Sequence, residues 1–176
     1  MKRSVRFALL AILSLQIGAS ANDRPLTAQA ERGRELFLKT PKGTACATCH
    51  SLAGVGTAVG PDLRTLAAAV GPRPLVMTIK MTVTAYVQDV ETSEGNFPGL
   101  QKAKQGDQID IWDLSQTPPV LRNLKASQVT SMKQSQTWKH PPAAAGYTSQ
   151  ELADIVGFLK WAATGSQTEI KPSDVE

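Results

Sequence analysis

Residues 46–50 read Cys46-Ala47-Thr48-Cys49-His50, and this pentad holds both cysteines of the 176-residue chain and one of its two histidines. Thiols three positions apart lie on one side of a helical turn, with an imidazole immediately behind them. Cys-x-x-Cys-His is the attachment signature of a c-type haem: each thiol adds across one vinyl group, and the histidine becomes an axial ligand. A thioredoxin-like dithiol is the first rival, and it wants a strand before the motif and a βαβ sheet around it. Here a short helix and a Gly-rich loop flank the pair. Structural zinc would need Cys46, Cys49, His50 and His140, yet adjacent Cys49 and His50 do not easily face one tetrahedral ion. A plain disulfide requires that haem fail to attach. The motif therefore predicts one covalently attached haem c, with Cys46 and Cys49 as its anchors and His50 as its proximal ligand.

The amino terminus has the pattern of an export signal. Lys2, Arg3 and Arg6 form a basic region, and Phe7 to Ile17 is a short, mainly apolar run. Ala19-Ser20-Ala21 is a small-x-small cleavage site, so residues 1–21 are expected to be removed after Ala21. The apolar run is short for a membrane span, and no stable span is expected after cleavage. An uncleaved anchor is the competing reading. Export suits the motif, because haem is attached to it outside the cytoplasm; a periplasmic or otherwise exported location is expected. The leader also carries three of the 19 basic residues and none of the 15 acids, so the rest of the chain is nearly neutral. Its basic character gives no argument for nucleic-acid binding.

Residues 27–39 read as a first helix, with Thr27 as cap and Gly33 leaving a flat place for another helix to approach. Gly60-Pro61-Asp62-Leu63 follows a Gly-rich stretch, and Arg64 to Val70 suits one or two helical turns. Thr148-Ser149-Gln150-Glu151 has capping-box spacing. Leu152, Ile155, Val156 and Leu159 then recur at helical intervals up to Gly165. Between these ends, about residues 83–133, β-rich runs alternate with turn residues. They are Tyr86–Thr92, Phe97–Lys104, Gln108–Leu114, Val120–Lys125 and Val129–Lys133. The segment Leu75–Met81 suits either helix or strand. The fold predicted is a mainly α domain over residues 22–165, carrying a small antiparallel sheet or barrel, so α+β overall. Residues 166–176 read as a polar, disordered tail.

Taken together, the Gly33…Phe37 helix, Cys46-x-x-Cys49-His50, Gly60-Pro61-Asp62-Leu63 and the Glu151-to-Trp161 helix resemble a class I cytochrome c. The resemblance spans about residues 27–66 and 138–163. It implies that the first and last helices cross at Gly33 and an aromatic such as Phe158. It also implies that the Pro61 carbonyl accepts a hydrogen bond from His50 and orients it, as partners of ligating histidines do. The β-rich middle resembles insertions in some bacterial cytochromes, including ones associated with quinoprotein dehydrogenases.

In that family a methionine shortly before the last helix commonly supplies the sixth ligand. Here the place reads Trp138-Lys139-His140-Pro141-Pro142, and no methionine follows Lys133. His140 is the leading candidate for that ligand. Met132 comes next, then Met81 and Met77, and an open site is the remaining possibility. The expected function is single-electron transfer between redox partner proteins (a dehydrogenase, an oxidase or another cytochrome) rather than catalysis. A haem subunit of a periplasmic, quinoprotein-type dehydrogenase and a ligand-binding or peroxidase-like haem protein are the alternatives.

Overall fold

The structure, a computed structural model, describes residues 24–40 and 42–176. The expected leader lies outside the described residues. Thr27 caps helix α1 (Ala28–Leu38), its hydroxyl accepting from the Ala30 N–H at 3.0 Å. Thr148 and Glu151 form a reciprocal capping box on α4 (Ser149–Thr164), and Gly165 closes that helix at φ +68°. Such caps satisfy backbone groups that a helix end leaves unpaired. Between them come α2 (Leu63–Ala69), capped by Asp62, and α3 (Pro72–Lys80), which resolves the helix-or-strand choice at Leu75–Met81 in favour of helix.

The α1–α4 crossing is set by Gly33. A β-carbon there would lie 1.9 Å from the Asp154 carbonyl oxygen and 2.9 Å from Phe158 Cβ, so the backbones meet only because position 33 has no side chain. One turn along, Phe37 and Phe158 pack edge to face at 5.5 Å. At the rim, Arg32 grips the buried Asp154 carboxylate through Nε and Nη2, both at 2.9 Å. This helical core also takes in Leu52, Ala67, Leu75, Val76 and Trp161.

The tail departs from expectation. Ile170 and Val175 are buried in the helical core. Gln29, itself buried, donates to the Ile170 carbonyl at 2.7 Å and accepts from the Ile170 N–H at 2.9 Å. Two apolar side chains in eleven mostly polar residues are enough, because the Gln29 amide satisfies the backbone they carry in with them.

Five antiparallel strands lie between α3 and α4, in the order β6-β5-β4-β3-β7. They are β3 (Gln88–Thr92), β4 (Gly95–Gln105), β5 (Gln108–Asp113), β6 (Val120–Lys125) and β7 (Val129–Gln134); a short hairpin, β1 (Ser51–Leu52) and β2 (Val55–Gly56), precedes them in the chain. Strands β6 and β7 are opposite edges of this sheet, yet only Ala126, Ser127 and Gln128 join them. Four strand spacings in a flat sheet would separate them by roughly 19 Å, while four chain steps cover at most about 15 Å. The sheet must therefore curl, and it does so around its own cluster of Val90, Phe97, Ile109 and Ile111. Gly99 makes the interior possible: a β-carbon there would lie 2.6 Å from Val90 Cγ2 and 2.8 Å from Ile111 Cγ2. Asp113 is fully buried, and it is held by the Ser115 N–H and hydroxyl and by Arg122, whose guanidinium lies over the Phe97 ring. Burial would raise this carboxyl, but those donors bring it below the ordinary carboxylate range.

Candidate haem site

Residues Cys46–Thr48 form a single 3-10 turn, and the His50 N–H closes onto the Cys46 carbonyl at 2.8 Å. The chain then reverses through the β1–β2 hairpin. Ala53 and Gly54 both take positive φ there (48° and 79°), the backbone a tight two-residue hairpin needs. The returning strand lays backbone against the motif: Thr57 N–H donates to Ala47 O at 2.9 Å, and Gly60 N–H to Cys49 O at 2.7 Å. Gly56, at φ +85°, passes so close that a β-carbon would lie 2.2 Å from the His50 carbonyl oxygen. A β-carbon on Gly60 would lie 2.6 Å from His50 Cε1. The imidazole is thus seated in a slot of bare backbone.

His50 Nδ1 lies 2.9 Å from the Pro61 carbonyl oxygen. Only a protonated Nδ1 can donate there, which leaves Nε2 with a free lone pair. Burial pushes the His50 pKa below its ordinary value, against the raising effect of that hydrogen bond. Cys46 and Cys49 are free thiols, both half-buried, and burial raises their pKa values.

His140 lies across from His50. The two ring centroids are 6.1 Å apart and the ring planes meet at 39°. His140 Nδ1 faces the Pro141 carbonyl oxygen at 2.6 Å, so its Nε2 is left free as well. The Trp138 ring stands edge-on to His140, at 6.2 Å and 88°. Of the methionines, Met132 lies in β7 and packs on the sheet's own cluster. Met77 and Met81 are exposed, at 64% and 60%, and Met81 adjoins Thr82, whose carbonyl accepts from the His140 N–H. Arg64 pairs with Asp62 in the open, Trp161 is core, and Trp112 lies on the sheet's outer face in a row with Leu100 and Leu121.

The donor set fits a haem. Imidazole nitrogens bind a metal at about 2.0–2.1 Å, so two rings on opposite sides of one ion have centroids about 6 Å apart. The observed separation meets that requirement, and Cys46 and Cys49 precede His50 in the same turn of chain. The close glycines Gly56 and Gly60 were legible as a Gly-rich loop but not as the wall of a slot. That role depends on the β1–β2 reversal, and its turn begins with an unmarked alanine.

A search of curated proteins finds no match to this chain. Residues 30–116 match the family model described as Cytochrome c, a stretch that includes most of α1, the pentad, the Gly60–Leu63 segment and strands β3 to β5 but ends before His140 and α4. With the site geometry, this match supports a c-type cytochrome, a haem-based electron carrier.

Proposed function

We propose that this chain is an exported, monohaem class I cytochrome c whose iron is held by His50 and His140 and which passes single electrons between periplasmic partners. The observation that carries the ligand assignment is the pair of imidazoles 6.1 Å apart, each with Nδ1 on a proline carbonyl. Bound haem supplies a one-electron iron couple. Cys46 and Cys49 would hold it through thioether bonds, Pro61 and Pro141 orient the two rings through their carbonyls, and Gly60 leaves room for the His50 ring. Two imidazoles favour ferric iron more than an imidazole and a thioether do, so a lower potential than that of a His/Met site is expected. With both positions filled, the iron is closed to small ligands.

The loose similarity to quinoprotein-associated cytochromes suggests a dehydrogenase as electron donor. A permanent subunit role calls for a broad apolar patch on the sheet. The large exposed apolar side chains Met77, Met81, Val83 and Tyr86 instead lie on α3 and the segment after it, with Val120 on the sheet.

The test is His140→Ala with a carbon monoxide titration of the reduced protein. The proposal expects no carbon monoxide binding in the wild type and ready binding in the variant. Binding by the wild type, or an unchanged six-coordinate low-spin spectrum in the variant, contradicts the assignment.

A further inference from the structure

The segment that carries His140 leaves the end of β7, and the segment that follows α3 enters the start of β3. These two strands are paired antiparallel, with Val90 opposite Met132 and Gln88 opposite Gln134. Beyond the ladder the segments touch twice more. Ser135 N–H donates to Val87 O at 2.8 Å, the next pair in the same frame. His140 N–H donates to Thr82 O at 2.7 Å. From Val87 back to Thr82 is five residues, and from Ser135 on to His140 is also five. The two arms are therefore equal in length between these bonds; because hydrogen-bonded pairs of an antiparallel ladder recur every second residue, the odd step of five puts the His140–Thr82 bond outside the ladder's alternation, and equal arms rather than continued pairing bring the two residues together. Ser135 is buried, and its hydroxyl accepts from the Trp138 N–H at 3.1 Å, which holds the turn that brings Trp138 edge-on to His140.

We propose that two equal arms leaving the β3–β7 pair set the position of the sixth ligand: Val87 and Thr82 are positioning residues whose carbonyls hold the arm that carries His140. This inference rests on His140 being that ligand. The physical reason is that each arm starts from a fixed ladder position and the arms meet again at one amide–carbonyl bond, so a change of one residue in one arm alone moves His140 off Thr82. Removing one residue between Ser135 and His140 would set Pro141 opposite Thr82, and proline has no N–H to donate. Removing one residue between Thr82 and Val87 would set His140 opposite Met81. Removing one from each arm restores Thr82 opposite His140.

The experiment compares the haem-loaded full chain with deletions of exposed Lys139, which lies outside the Ser135–Trp138 turn, of exposed Ala85, and of both. Two readouts are taken: carbon monoxide binding to reduced iron, and hydrogen exchange at the His140 amide. Each single deletion is expected to open the iron and to speed exchange at His140 at least tenfold. The double deletion is expected to close the iron and restore protection. Rescue of this kind separates positioning from general damage, since two lesions that only weaken the fold would add. Single deletions that keep the iron closed and the amide protected overturn the inference, as does a double deletion no better than either single. Where a shortened chain does not fold, single-glycine insertions after Ala85, after Lys139 and after both are read in the same way. If His140→Ala leaves the iron closed, the ligand assignment fails, and the amide readout still decides the positioning; if His140→Ala opens it while the single deletions do not, the positioning inference alone fails.

Discussion

Phe158 is buried in a layer shared by α1, α2 and α4, whereas Ile111 is buried in a cluster closed by the strands of its own sheet. The two regions reach the same burial by different constraints. In the helical core the limiting contact is backbone on backbone, Gly33 against the Asp154 carbonyl. In the sheet it is side chain on side chain, with the space above Gly99 filled by methyl groups of Val90 and Ile111. Backbone cannot rotate out of the way, and methyl groups can. The candidate site draws on both regions: His50 follows the turn packed on the helical side, and His140 lies in the segment that leaves β7.

Two glycine substitutions test that contrast, with the largest effect first. Gly33→Val is expected to cost about 3 kcal/mol or more, because the added atoms force the helices apart. Gly99→Ala is expected to cost about 1–2 kcal/mol, because Val90 and Ile111 re-pack. Urea unfolding of both variants checks the order; equal losses would remove the distinction. Arg122→Ala falls between them, at about 2–3 kcal/mol, since it strips the guanidinium from the fully buried Asp113. Amide exchange should quicken across β3 to β7 and stay slow in α1 and α4. Uniform quickening would mean the sheet has no stability of its own.

The legibility of the chain divides along the same line. The pentad, both capping threonines and all five strands of the sheet are local patterns, and local patterns were readable. Val120–Lys125 even coincides with β6 at both ends. Three features were not readable. The β1–β2 turn begins with Ala53 at positive φ, where a glycine or asparagine would have announced it. The tail docks because Gln29, far back in α1, clasps the Ile170 backbone. The contact of Thr82 with His140 exists only once β3 has paired with β7. Each is a long-range partnership or a strained local choice that composition does not mark.

The smallest effect concerns the outer rim of the helical core. Lys42, hydrogen-bonded to Glu151 at 2.6 and 2.8 Å, together with the Thr148 N–H, lowers the Glu151 pKa from 4.5 to about 2. A depressed carboxylate contributes stability above its unfolded pKa and loses it as pH falls toward the folded one. Glu151→Gln should therefore melt slightly below wild type at pH 7, with the gap closing between pH 4.5 and pH 2. A gap that persists at pH 2 would assign the effect to the uncharged cap alone.

The two-histidine iron is the central claim, and the reduction potential of His140→Met beside wild type tests it most directly. Exchanging imidazole for thioether should raise the midpoint by on the order of 0.1 V, within the roughly 0.8 V that axial ligands command. An unchanged midpoint, in a variant that still folds and holds its haem, would show that His140 is not on the iron.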